Sequence, residues 1–186
     1  MFRKTYWILT GLLALSLILG ACQPAATPTA PPEPTVPPVP KVASVSFTQE
    51  PDSLNPLYTV MWFSFITRDF WLKGLWSFDD GNNPVPEVAA EVPTPENGGV
   101  SADGKTITVK LNPDVTWSDG EPVTANDFVF TFNMILDEAN TVQSTYPYAD
   151  YVSAVTAADD HTLVIELSEP FAAWQTTIFT YVLPAH

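Results

Sequence analysis

The chain has 186 residues, enough for one ordinary domain, and carries 21 acidic residues against 7 Lys and Arg, a formal net charge of −14. A surface this acidic repels nucleic-acid phosphate and anionic lipid, which sets nucleic-acid binding aside. Its single cysteine, Cys22, excludes an intramolecular disulfide and any zinc or iron–sulfur cluster built from several cysteines.

Residues 1–21 read as an export leader. Arg3 and Lys4 make the charged start, and Tyr6 to Leu19 is an apolar run. As a helix that run is about 20 Å long, too short for a bilayer core of about 30 Å. Leu19-Gly20-Ala21-Cys22 then resembles the bacterial lipobox, which implies cleavage before Cys22 and diacylglycerol on its sulfur. Acyl chains bury about 0.8 kcal/mol per CH₂, so two or three of them anchor stably. Eight prolines in residues 23–40 remove N–H donors and fix φ. With Cys22 this run, 22–40, reads as a spacer reaching roughly 50 Å when extended, which leaves 41–186 as the globular part.

Within 41–186 the alternation of Ala43, Val45 and Phe47 predicts a strand over 41–48. Residues 61–76 are dense in Phe and Trp, and positions 62, 65, 66, 70 and 72 fit a mostly buried helix that Gly74 would end. Asp80-Gly81 and Asp103-Gly104 are turn signals, and residues 93–100 form a surface loop. Thr106–Leu111 alternates as a half-buried antiparallel strand with Ile107, Val109 and Leu111 on one side. Thr124 suits an N-cap and Asp127 the first turn of a helix, close to a capping box, with Val123 and Phe128 at the staple positions. Ala125, Phe128, Val129, Phe132, Ile135 and Leu136 share one helical face. Residues 144–149 read as a loop, and Tyr151–Thr156 with Thr162–Leu167 as a hairpin.

The residues between Trp117 and Phe132 closely resemble the signature of the family 5 extracellular solute-binding proteins, receptors of ABC importers for oligopeptides, dipeptides and nickel. Trp117, Ser118, Asp119, Gly120, Pro122, Val123, Thr124, Ala125 and Asp127 stand in the family order. The direct role of this motif is to start the helix; it identifies the family without touching a ligand. Leu54-Asn55-Pro56 is similar to the family's first ligand-lobe turn. Carried over without a gap, the positions beyond that proline that contact a peptide backbone fall at Val60, Met61 and Trp62. Pro147-Tyr148-Ala149 is similar to a segment that supplies a cleft tyrosine, which assigns Tyr148 to the ligand. A tyrosine's flat face and polar tip suit a peptide backbone. Trp71–Leu75 is also similar to a family segment, with Lys73 where Glu is commoner.

The resemblance implies an α/β protein: an incomplete lobe I of a periplasmic-binding-protein-like, type II fold, with a mixed sheet, hairpins and a capped helix. Its landmarks run from about residue 43 to 186 and cover about the first third of a two-lobed member, which reads as a truncated or fragmentary chain. The implied protein is a lipid-anchored, extracytoplasmic substrate-binding component of an ABC importer for oligopeptides or dipeptides. Its implied partners are a peptide-like solute, a permease and ATPase complex and, through the lipid on Cys22, the membrane. No enzyme chemistry, cofactor or metal follows from it. The residues agree: no phosphate loop, GxSxG, HExxH or paired-cysteine motif occurs. Asp79-Asp80 and Asp159-Asp160 read as solvated turn residues; His161 lies in the turn before a strand and His186 at the last position, and a metal site shared by the two is not expected. The alternative is a stand-alone acidic surface lipoprotein with an adhesive or scaffolding role. A hydrolase would need a nucleophile–base pair that the sequence does not offer.

Overall fold

The computed structural model describes residues 42–186. The leader, the lipobox ending at Cys22 and the proline-rich spacer lie outside the described residues. Residues Ser46–His186 make up one unit, and its order is set by a three-stranded antiparallel sheet, β3 (Thr106–Lys110), β5 (Thr162–Leu167) and β4 (Val152–Asp159), with β5 in the middle. The alternation in the sequence sets the register. Ile107 and Val155 both pair with Ile165, and Val109 pairs with Leu163, so one face of the sheet is continuously aliphatic. These side chains are all buried.

Helix α2 (Ala125–Leu136) packs mainly on β4. It starts where the capping signal places it: Asp127 closes a capping box with Thr124, whose N–H donates to Asp127 Oδ2 at 2.8 Å. Val123 and Phe128, the staple pair, are both buried. Phe128 meets Phe179 edge-on, with ring centroids 5.2 Å apart, and Phe179 in turn packs on Tyr148 at 5.5 Å. This aromatic group joins α2 to the C-terminal segment, where Ile178, Phe179 and Val182 are almost inaccessible. Two short helices, α3 (Tyr148–Tyr151) and α4 (Trp174–Thr177), bracket the β4–β5 hairpin. A separate antiparallel ribbon is formed by β1 (Trp76–Phe78) and β2 (Pro84–Pro86). Its turn is held by the Asp79 carboxylate, which accepts the Asn83 N–H at 2.7 Å, and Asn82 takes the left-handed conformation at φ 59°. Gly104 does the same in the turn before β3. Every strand pair among the described residues is antiparallel.

Three expectations fail. The described part of the strand over 41–48 has no regular structure, and Val42, Val45 and Phe47 are exposed. Alternation alone does not make a strand without a neighbour to complete its hydrogen bonds. The helix of 61–76 shrinks to α1 (Trp62–Arg68) and faces the other way. Trp62, Phe65, Phe70 and Trp71 are exposed, whereas Ser64 and Arg68, one turn apart, are buried. The Ser64 hydroxyl donates to the exposed Asp52 carboxylate at 2.7 Å, which ties this face of α1 to the preceding segment. Gly74 does not cap this helix. It passes so close to the Phe179–Thr180 backbone that a Cβ would lie 2.7 Å from Phe179 O, and the neighbouring Leu75 N–H donates to that same oxygen at 3.1 Å.

Candidate functional site

The Asn55 side chain begins the site. Its Oδ1 accepts the Leu57 N–H at 3.0 Å, a local turn that sends Leu57 into the core. Leu57 O then accepts the Gln143 N–H at 2.9 Å, and the Tyr58 hydroxyl donates to Asn140 Oδ1 at 3.3 Å. These two long-range bonds lay the segment after Asn55 beside the segment after α2. Between them and the chain leaving α4 is a cavity of about 220 Å³.

Of the four residues assigned to a ligand, Val60 and Tyr148 line this cavity together. Val60 stands largely exposed at its rim. Tyr148 is buried, and its hydroxyl oxygen accepts the Phe179 N–H at 2.9 Å. Burial pushes its phenol above the usual range, more strongly than this hydrogen bond draws it down. Met61 and Trp62 do not line the cavity. The Met61 N–H donates to Thr59 Oγ1 at 3.1 Å just before α1. Trp62, 67 % exposed, stacks on Phe65 with ring centroids 6.4 Å apart. Phe65 lines the cavity, so the two rings form an aromatic shelf that runs from the cavity wall onto the surface.

Sequence reasoning passed over Arg68. It is 8 % exposed, and its guanidinium lies 4.4 Å from the Phe65 ring centroid and 5.1 Å from that of Tyr181. Burial pulls its pKa below the ordinary arginine value, against the opposing influence of Asp69, Tyr181 and Tyr148. Burial also raises the Tyr181 phenol. No carboxylate lines the cavity among the described residues, and its polar wall is hydroxyl-rich, with Thr59, Ser144, Thr177, Thr180 and Tyr181. A spacing pattern cannot find such a residue, because Arg68 reads as the polar member of an aromatic run.

The signature motif lies apart from this cavity and acts as a junction. Asp127, buried, accepts not only the Thr124 N–H but also the Ala185 N–H at 2.8 Å and, more loosely, Trp117 Nε1 at 3.4 Å. Thr131 accepts the Leu183 N–H at 2.9 Å through its hydroxyl, which donates to Asp127 O. His186 Nε2 lies 2.9 Å from Asp119 Oδ2. That contact raises the imidazole pKa and lowers the carboxyl, both groups being exposed. Among the described residues no three metal-ligating side chains converge, and no helix is long and apolar enough to cross a membrane.

Residues 83–186 match the model of the bacterial extracellular solute-binding proteins, family 5, middle part. The chain is similar to the oligopeptide-binding protein OppA of Bacillus subtilis, 28% identical over 97% of this chain and 35% of that protein. It is also similar to the periplasmic oligopeptide-binding protein OppA of Escherichia coli, 35% identical over 58% of this chain and 21% of the other. Haemophilus influenzae OppA in complex with the peptide RPPGFSPFR superimposes with a TM-score of 0.64 at 27% identity, over 73% of this chain and 29% of that one. The chain thus spans about a third of the length of the Bacillus relative.

Proposed function

Because the chain belongs to the family 5 bacterial extracellular solute-binding proteins, we propose that it serves as the substrate-binding component of an ABC importer for oligopeptides or dipeptides, anchored outside the membrane by lipid on Cys22. It captures solute reversibly, with no covalent step, and hands it to a permease and ATPase complex. The described residues correspond to part of the first of two lobes, and capture by closure needs a surface opposite this one.

The observation that carries the reading is the 220 Å³ cavity with its aromatic shelf, on a fold shared with peptide-bound relatives. The cavity is small for a whole oligopeptide, as pockets that bury most of a ligand run from about 300 Å³ upward. It suits one or two residues of a peptide, with Val60 at the rim and Trp62 stacking on a side chain or peptide plane beyond it. Tyr148 contributes its ring to the wall, since its hydroxyl is engaged with Phe179 N–H. Residues 22–40 hold the binding unit off the membrane.

Calorimetry on the full 186-residue chain with mixed short peptides tests this, with nickel and simple sugars as controls. Peptide binding that Trp62→Ala weakens about tenfold is the expected result. Binding of nickel or a sugar in the absence of any peptide binding removes the peptide assignment. Mass spectrometry of the membrane-bound chain tests the anchor: an unacylated Cys22 in an uncleaved precursor refutes it.

A further inference from the structure

Arg68 is buried, and among the described residues no carboxylate pairs with it directly, the exposed Asp69 acting on it only through space. Its Nε has no hydrogen-bond partner, and the ion pairs among the described residues, Lys73–Glu87 and His186–Asp119, do not include it. Asp69, next in the chain, is exposed and is absent from the cavity wall. An arginine keeps its charge at neutral pH, and a buried charge is costly unless something pairs with it. The Phe65 and Tyr181 rings offset part of that cost and hold the guanidinium between them. The planar N–H edge of a guanidinium matches the two oxygens of a carboxylate. Arg68 also borders a second hollow whose wall includes Asp69 and Glu87, but the 220 Å³ cavity offers it no carboxylate and does offer the hydroxyls of Ser144, Thr180 and Tyr181. A lone cation inside a chain of net charge −14 makes this cavity a local well for an anion. The long-range repulsion of the acidic surface is screened beyond about 8 Å at physiological salt.

We propose that Arg68 is the anchor for a free carboxylate of the captured solute, so that the cavity is selective for anionic ends: the C-terminus of a short peptide or an acidic side chain. This rests on the solute-binding reading and adds the charge that the cavity selects. Burial of the charge is then a cost that the free protein bears and the ligand relieves.

The test compares four probes by calorimetry on the full chain: trialanine, trialanine amide, the amide of Ala-Glu-Ala, and succinate, a dicarboxylate without a peptide bond. Trialanine binds about tenfold or more tightly than its amide, the size expected of one charge-assisted bond, and Arg68→Met removes the difference. Arg68→Lys restores part of it. Tight binding of the Ala-Glu-Ala amide assigns the site to a side-chain carboxylate, and weak binding assigns it to the terminus. Equal affinities for trialanine, its amide and the Ala-Glu-Ala amide, or a preference that survives in Arg68→Met, overturn the role of Arg68 and leave peptide capture standing. Succinate binding that needs Arg68, with none of the three peptides bound, keeps the anchor and removes the peptide reading. No binding by any probe removes both. Should Arg68→Met fail to fold, the wild-type chain and Arg68→Lys still decide. A wild-type acid-to-amide ratio of about ten or more that Arg68→Lys reduces supports the anchor, and a ratio near one for every peptide refutes it.

Discussion

Replacing Asp127 by Ala strikes the point where the signature motif, the start of α2 and the C-terminal segment meet. The side chain is 3% exposed, so solvent does not replace what is lost. The capping interaction with the Thr124 N–H contributes about 1 kcal/mol. The bond from the Ala185 N–H to a carboxylate contributes about 1.5–3 kcal/mol. Removing a buried charge returns part of its desolvation cost, which leaves a net loss of about 3 kcal/mol. With an m-value of about 1.5–2 kcal/mol per molar, the urea midpoint falls by about 1.5–2 M. Asp127→Asn retains an acceptor for Ala185 and loses the one for Thr124, so it costs less, about 1–2 kcal/mol. Equilibrium urea unfolding followed by tryptophan fluorescence gives both midpoints, and hydrogen exchange at Ala185 reports the second bond directly. A midpoint shift below about 0.3 M for Asp127→Ala refutes the junction. So does an Asp127→Asn variant as damaged as the alanine.

Three further outcomes follow from particular contacts. Tyr148→Phe leaves the buried Phe179 N–H without its acceptor and costs about 1–3 kcal/mol in denaturation, while peptide affinity stays close to wild type because the ring remains. Gly74→Ala sets a Cβ 2.7 Å from Phe179 O and from Thr180 C, both backbone atoms, and lowers stability by about 2–3 kcal/mol in a thermal melt. The contact between His186 and Asp119 gives stability a pH signature. The raised imidazole pKa adds stability below the unfolded histidine value, lost as pH rises through the folded one. The lowered Asp119 pKa adds stability above the unfolded aspartate value, lost as pH falls through the folded one. The contact is therefore strongest between about pH 4 and 6.5, the two unfolded values. NMR titration of the His186 ring shows a pKa above about 6.5 that drops in Asp119→Asn, and an unchanged value refutes the contact.

Much of the fold was legible in the sequence wherever the deciding interaction is local. The capping box spans four residues, the left-handed turn at Gly104 a few, and the alternation of Ile107, Val109 and Leu111 repeats every second position. Each appears in the structure where the pattern places it. The family motif was legible for the same reason, as one unbroken run from Trp117 to Asp127. The candidate site was legible in part. The Asn-Pro turn and Tyr148 were singled out, and Val60 joins Tyr148 at one cavity.

Only the tertiary structure decided the rest. The strand expected over 41–48 has the right alternation, but a strand is completed by its neighbour, and the described residues give it none. The aromatic run of α1 has apolar side chains all round, so its periodicity carries almost no direction, and contacts with other segments choose the buried face. Asp127 looks in sequence like a cap alone, yet it also holds a backbone amide 58 residues away. Arg68 becomes notable only once Phe65, Tyr181 and the hydroxyl-lined cavity surround it. A pattern read along the chain reports forces acting over a turn or two. Burial, pairing and the charge of a cavity depend on which distant segments close around a residue, and that information is distributed over the whole fold.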